Sequence, residues 1–140
     1  MTEKLYEIAK EIINLNVEFD CALTGTLMLK LRGIDLGREP HDIDLIVNKQ
    51  LNEIQPDLKI PNGFQQRSSF YPESVSFEKD GIILDIMYSE EQRYSVEGFR
   101  IGNIDSLLVA KDHFSRHDKN PESREKHLKD IEIIKKHLQK

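Results

Sequence analysis

The chain has 140 residues, of which 38% are hydrophobic and 32% charged, and its formal net charge is −5 at pH 7. This length fits one domain with a single core, and the acidic balance argues against broad, non-specific nucleic-acid binding. No apolar run approaches the ~20 residues that span a bilayer, and the N-terminus lacks the pattern of a signal peptide. Cys21 is the single cysteine, so no internal disulfide can form. We therefore expect a cytoplasmic protein without a membrane segment.

The charge is distributed unevenly along the chain. Residues 1–110 carry eight more acidic than basic side chains, whereas residues 111–140 carry three more basic than acidic ones. A mildly basic helical tail therefore follows an acidic body. Such a tail is most simply a solvated helix face, although it would also suit a short RNA end.

Apolar residues at helical spacing predict a first helix over about 3–15. Residues 19–24 then read as a short strand that buries Cys21, and Gly25-Thr26 interrupts it. The run from Thr26 to Arg32 consists of good helix formers and is followed by a glycine, a natural stop. A strand, a glycine and a helix in succession leave free backbone N–H groups where an anion can bind. Many helices begin this way, so the pattern is weak evidence by itself.

The segment from His41 to Val47 predicts a buried strand with acidic residues at its entrance. Asp42 and Asp44 lie two residues apart and therefore point to the same face. Their burial beside apolar residues is costly, and a divalent cation such as Mg²⁺ would offset the cost, because it prefers carboxylate oxygens. A pair that faces water at the strand end, or caps neighbouring turns, would explain the same pattern without a metal.

The middle of the chain predicts a loop followed by three strands. The ranges are 48–63 for the loop, with one helical turn at 51–54, and 64–70, 75–77 and 82–88 for the strands. Asp80-Gly81 favours a tight hairpin before the last of these strands, because both residues suit positive φ. Asp85 then places a carboxylate inside an apolar strand, where it is either functional or an edge-strand charge that discourages aggregation.

The C-terminal third predicts a short strand at 99–101 and two helices. The first helix runs to about Ser115, and the second begins near Pro121 behind a capping Asn120. The buried side of the second helix is expected to carry Leu128, Ile131, Ile134 and Leu138.

Two histidines of the first C-terminal helix could form a metal site. His113 and His117 lie four residues apart, which suits two metal ligands on one helix face. No third ligand with motif spacing accompanies them, so a solvated helix face is the simpler interpretation.

The order of these motifs resembles the nucleotidyltransferase superfamily that includes DNA polymerase beta, and within it the minimal prokaryotic nucleotidyltransferases. Gly25-Thr26 stands where that family has Gly-Ser or Gly-Gly at the start of a helix. Asp42 and Asp44 match the family's Asp-x-Asp strand, and Asp85 matches its third acid on a later strand. Thr26 departs from the family pattern, but its hydroxyl can still bind a phosphate oxygen.

The resemblance implies an α/β (α+β) nucleotidyltransferase fold with helices packed on a mixed, twisted sheet of about four to five strands. It implies a single domain over 1–140, with a core at about 19–101 and C-terminal helices at about 104–139. The chain offers no obvious separate acceptor-binding domain, so a homodimer or a helical partner protein would have a place beside it.

The resemblance also implies an activity. The enzyme would move a nucleoside monophosphate from an NTP, most simply ATP, to a hydroxyl acceptor and release pyrophosphate. Asp42, Asp44 and Asp85 would be the catalytic residues and would hold two Mg²⁺ ions, with Mn²⁺ as a substitute. Asp85 would in addition orient or deprotonate the acceptor hydroxyl.

Four further residues are candidates for binding the nucleotide. Gly25 and Thr26 would hold its distal phosphates at the helix start. Arg38 belongs to a stretch similar to the family's lead-in to Asp-x-Asp, and Lys111 lies on a helix similar to the one that follows the family core. For Arg38 and Lys111, ordinary surface charge is the alternative.

Two other functions remain open from the sequence. The chain could be a non-catalytic module that binds a nucleotide or a partner on the same fold, for example a toxin–antitoxin component. The three acids could also be purely structural. The presence of all three acids favours catalysis, because a decaying site should lose them first.

Overall fold

The computed structural model describes residues 2–69 and 73–139, and within them the chain forms a mixed sheet with helices packed on it. The strands are β1 (Ala22–Thr24), β2 (Asp42–Val47), β3 (Gln65–Arg67), β4 (Ser74–Lys79), β5 (Ile82–Tyr88), β6 (Tyr94–Val96) and β7 (Phe99–Ile101). The α-helices are α1 (Thr2–Leu15), α2 (Gly25–Leu31), α3 (Leu51–Ile54), α4 (Ile104–His117) and α5 (Pro121–Leu138). No helix in these ranges is both long and apolar enough to cross a membrane.

The fold class is as predicted, but the sheet is larger than expected. It contains seven strands in the order β3-β4-β5-β2-β1-β7-β6, not four to five. Of these seven strands only β6 lies outside the strand ranges predicted from the sequence, because its three residues are too few to show an alternation of apolar and polar side chains. Of the strand predicted over 64–70, only the part at β3 is formed, and Phe70 lies outside the described residues.

Strand β2 lies inside the sheet, where it positions the acidic residues. It pairs with β5 in parallel on one side and with β1 in antiparallel on the other. Ile43 and Leu45 of β2 are fully buried, and α1 and α2 pack against this strand. Because side chains alternate along a strand, burial of these apolar residues on one face leaves Asp42 and Asp44 on the other.

The turns and caps follow the local sequence. Asp80 and Gly81 both have positive φ, 50° and 81°, in the tight turn that joins β4 to β5. The side chain of Asn103 accepts a hydrogen bond from the backbone N–H of Asp105 at the start of α4, and Asn120 does the same for Glu122 at the start of α5. These local features confirm the predicted hairpin and the predicted start of the last helix.

The buried side of α5 differs from the prediction. Leu128 and Leu138 are 55% and 49% exposed, whereas Asp130 and Ile134 are buried. The reason is electrostatic, because Asp130 faces inward to pair with cations from two other parts of the chain. A pattern of apolar residues alone could not show that a carboxylate sets the rotation of this helix.

Candidate active site

The three aspartates lie on one face of the sheet. The parallel pairing of β2 and β5 places Asp44 directly beside Asp85, so both side chains leave the sheet on the same side. Asp42 precedes Asp44 by two residues and points to that side as well. The fold thus brings together carboxylates from two strands that are well separated in the sequence.

The acids belong to a row of polar residues that crosses the sheet, which we call the polar row. Thr24 on β1 pairs with Asp44, Ser76 on β4 pairs with Asp85, and Arg67 on β3 pairs with Ser76. Residues directly opposite each other on neighbouring strands share a face. Sequence reasoning did not find Ser76 or Arg67, although Ser74, Ser76 and Glu78 are spaced two apart along β4.

Gly25 lies against Asp44 at the point where β1 turns into α2. Its φ of +71° is one that residues with a side chain rarely adopt. A Cβ at this position would lie 3.0 Å from the Cβ of Asp44 and would overlap its Oδ2. Glycine is therefore needed both for the backbone conformation and for the close approach of the helix start to the acid. Thr26 follows in the first turn of α2 and is half-buried.

The electrostatics of the site disfavour three free negative charges. Burial raises the pKa of Asp44 to about 7, and the charges of Asp85 and Asp42 add to that rise. Burial also raises the pKa of Asp42, with Asp85 as the next cause. The carboxylates therefore favour a proton or a cation among them.

Several basic side chains partly compensate this repulsion. Lys111 and Lys126 lower the pKa of Asp44 against the larger effects that raise it. Lys126 also acts on Asp42 in the same direction, together with His41 and Arg67. Lys126 lies on α5, in the basic tail whose charge the sequence left as a solvated helix face. No motif singled it out.

Arg38 and Lys111 both contact a carboxylate that sequence reasoning missed, that of Asp130. Arg38 donates from Nη1 to Oδ1 at 2.7 Å and from Nη2 to Oδ2 at 2.8 Å. Lys111 donates from Nζ to Oδ2 at 2.9 Å. Lys111 is only 7% exposed, so it is not an ordinary surface charge. We call these three residues the Asp130 cluster.

A cavity of about 260 Å³ adjoins Arg38 and Asp130 of this cluster. It lies between the loop that precedes β2 and one side of α5, and its lining residues are Leu36, Arg38, Glu122, Glu125, Lys126, Lys129, Asp130 and Ile133. Lys126 lines this cavity and also lowers the pKa of Asp42 and Asp44, so a charge on the cavity wall acts on the acids.

The aspartates suit a divalent cation by their chemistry. Carboxylate oxygens are the ligands that Mg²⁺ prefers, and a cation would relieve the repulsion that raises the pKa of Asp44. Among the described residues, however, no three His, Cys, Asp or Glu side chains close around one ion position. The backbone therefore places the acids on one face of the sheet, while their side chains are not arranged as a finished metal site.

The two histidines of α4 do not form such a site either. His113 and His117 are both exposed, and their rings lie side by side with centroids 4.5 Å apart. Within residues 2–69 and 73–139, no third metal-ligating side chain joins them. They fit the simpler interpretation of a solvated helix face.

Sequence comparison identifies no relatives of this chain. No model of a protein family matches it, and no curated protein sequence is similar enough to be recognised as a relative.

Comparison of structures shows clear similarity of fold. The solution structure of the antibiotic-resistance factor ANT(2'')-Ia matches with a TM-score of 0.69 and 13% identity, over 98% of this chain and 85% of that one. The crystal structure of ANT(2'')-Ia with adenylyl-2''-tobramycin matches with a TM-score of 0.66 and 15% identity, over 97% and 90%. An antigenic nucleotidyltransferase-like protein from Paracoccidioides brasiliensis gives a TM-score of 0.59 and 14% identity, over 94% and 75%. At these identities the likeness concerns the fold, and the chain has the nucleotidyltransferase-like fold of these proteins.

Proposed function

We propose that the protein is a metal-dependent nucleotidyltransferase, which moves a nucleoside monophosphate from an NTP to a hydroxyl acceptor and releases pyrophosphate. A fold alone does not specify an activity. The observation that carries the proposal is the placement of Asp42, Asp44 and Asp85 on one face of the sheet, with Gly25 in contact with Asp44. On this face a group of acids lies next to the start of α2.

Each acid has a role in this reaction. Asp42, Asp44 and Asp85 would hold two Mg²⁺ ions, or Mn²⁺ in their place, which neutralise charge on the transferred phosphoryl group when bound. Asp85 would also accept the proton of the acceptor hydroxyl. The hydroxyl oxygen then forms a bond to the α-phosphorus, and the bond from that phosphorus to the bridging oxygen of pyrophosphate breaks.

The basic groups near the acids suit the nucleotide. Lys111 and Lys126 act on the pKa of Asp44 and so lie within electrostatic reach of it, where they would also attract a triphosphate. Gly25 and Thr26 would contact the phosphates from the start of α2, and Arg38 would act from the loop before β2. ATP is the first nucleotide to test, because the fold neighbour ANT(2'')-Ia was solved in complex with adenylyl-2''-tobramycin.

The acceptor is a hydroxyl of a small molecule, a protein side chain or an RNA end. The net charge of −5 makes a long nucleic acid the least suitable of these. Tobramycin is a reasonable member of a first panel of small acceptors, since the complex of ANT(2'')-Ia contains adenylyl-2''-tobramycin. The site is open to the surface at Asp42, which is exposed, so a second copy of the chain or a helical partner protein would complete its wall.

The decisive experiment follows pyrophosphate release and label transfer from each labelled NTP in the presence of Mg²⁺ or Mn²⁺. Asp42→Asn and Asp85→Asn should each lower the rate by at least ~100-fold, since loss of a general base alone costs about that much. Asp80→Asn is the matched control. It removes the same charge from an exposed turn with a φ of 50°, which asparagine also adopts readily.

The outcomes separate the candidate functions. Transfer by the wild type that both site variants abolish supports the enzyme, provided circular dichroism shows all variants folded. Unchanged transfer in both variants would refute the catalytic assignment. Nucleotide binding without any pyrophosphate would instead favour a non-catalytic binding module on the same fold.

A further inference from the structure

Asp130 is a buried carboxylate far from the acidic strands in the sequence, yet it connects three parts of the chain. It is 1% exposed, lies on α5, and accepts hydrogen bonds from Arg38 in the loop before β2 and from Lys111 on α4. Both of these cations were candidates for nucleotide binding. Their shared partner is therefore relevant to the proposed site.

The charge of the Asp130 cluster exceeds what the burial of one acid requires. Removing a carboxylate from water is costly unless a cation is paired with it, and one cation would neutralise it. Asp130 has two, so the cluster carries one net positive charge. Its hydrogen bonds from Arg38 and Lys111 outweigh the effect of burial, and the pKa of Asp130 is lowered.

The side chain of Lys111 is held in place by its contact with Asp130. Its Nζ donates to Oδ2 of Asp130 at 2.9 Å, and the residue is only 7% exposed. A free lysine side chain has many rotamers, and ordering it during binding is unfavourable. An ammonium group that is already held by Asp130 avoids most of that cost.

We propose that Asp130 is a positioning residue, which holds Lys111 and Arg38 so that they meet the phosphates of the nucleotide in one geometry. This inference rests on the proposed function. Asp130 touches neither nucleotide nor acceptor and acts through the two cations. The fork of Arg38 spans both carboxylate oxygens, which fixes the plane of the carboxylate and with it the place where Lys111 binds.

The test is a double-mutant cycle on NTP turnover. Asp130→Asn should lower kcat/KM for the NTP on the order of tenfold, the loss typical of removing a group that orients a functional side chain. In a Lys111→Met background the same substitution should lower kcat/KM by a clearly smaller factor, because only Arg38 then remains for Asp130 to position. Asp112→Asn is the control, since it removes an exposed partner of Arg116 on α4 and should leave kcat/KM unchanged in both backgrounds.

A second variant separates positioning from charge and from loss of fold. Asp130→Glu keeps the charge but moves the carboxylate by one methylene, so it should also lower kcat/KM, while circular dichroism shows the helices intact. Thermal unfolding without nucleotide provides a readout independent of activity, in which Asp130→Asn and Lys111→Met should be non-additive because the two side chains are in contact.

The possible results distinguish a positioning role of Asp130 from a purely stabilising one. An equal loss of kcat/KM in both backgrounds would mean that Asp130 merely stabilises the fold, and it would overturn the inference. An unchanged kcat/KM in Asp130→Asn would overturn the inference and leave the transferase intact. A wild type that releases no pyrophosphate from any NTP would refute the proposed function, and the inference would fail with it.

Discussion

Replacement of Asp44 by asparagine should stabilise the metal-free protein at neutral and alkaline pH. In the folded protein burial and the neighbouring Asp85 and Asp42 raise the pKa of Asp44 from 3.8 to about 7. In the unfolded chain the carboxyl titrates near its ordinary value. Ionisation of Asp44 therefore opposes folding, and asparagine, which does not ionise, removes that opposition while keeping the shape of the side chain.

The magnitude follows from the size of the shift. A rise of roughly 3 units corresponds to a ceiling of about 4 kcal/mol at 1.36 kcal/mol per unit. Asp44 is half-buried, so solvent screens part of this effect, and we expect a gain of about 2 kcal/mol in the free energy of unfolding at pH 8. For a chain of this size the gain corresponds to a Tm increase of roughly 6 °C.

The dependence on pH gives the sign of the effect. Between about pH 4 and pH 7 the folded state keeps the proton on Asp44 while the unfolded state has lost it, so the stability of the wild type falls as the pH rises. Above pH 7 the full penalty is present, and below pH 4 it is absent. The stability advantage of Asp44→Asn should therefore grow across this window and then level off.

The assay is urea unfolding in EDTA at several pH values, with Asp80→Asn as the control for loss of one exposed carboxylate. Added Mg²⁺ should reverse the order of stability at pH 8, because an ion that binds the folded wild type raises its stability by ~2.7 kcal/mol at a hundred times Kd. An Asp44→Asn variant that is less stable than the wild type at pH 8 would refute the reasoning. So would an advantage that is the same at pH 4 and pH 8.

Two further predictions concern single residues of the core and the site. In urea unfolding, Gly25→Ala should lose more stability than Gly33→Ala. Both glycines have positive φ, 71° and 82°, so both substitutions strain the backbone. Only at Gly25 would a Cβ also overlap Asp44, whereas at Gly33 it would meet nothing within 4 Å. Equal losses in the two variants would contradict the close approach that we describe. Cys21 should not react with a thiol reagent at pH 8 until the protein is unfolded, because burial raises the pKa of its thiol to about 12. Rapid labelling of the folded protein would contradict the place of Cys21 in the core.

The sequence predicted the common face of Asp42 and Asp44 because the signal for it is local. The spacing of Asp42 and Asp44 fixes their common face through the period of a strand, and the turn at Asp80-Gly81 defines where β5 begins. The side to which Asp85 points was an expectation until the register was known, because pairing with Asp44 depends on how β5 is aligned with β2. The expectation that Asp85 shares a face with Asp44 came from the resemblance to a known family and not from the periodicity of the strands.

The missed parts depend on contacts between distant segments. Asp130 appears as one more charge on a charged helix, and only its pairing with Arg38 and Lys111 shows that it faces inward. For the same reason the apolar pattern of α5 wrongly assigned Leu128 to the buried side. Strand β6 was missed because a three-residue strand at the sheet edge is defined by its partner β7 and not by its own sequence.

The polar row has a consequence for how the chain tolerates insertions and deletions. One residue added at the start of β5 would move Asp85 to the buried apolar face and Leu84 to the face that now carries the acids. The reason is that every side chain after the insertion exchanges faces. The same residue added at the tip of the hairpin, between Asp80 and Gly81, would leave the alignment of β5 with β2 unchanged. A tag or a reporter peptide can therefore be inserted at this tip without changing the alignment of the carboxylates in the polar row.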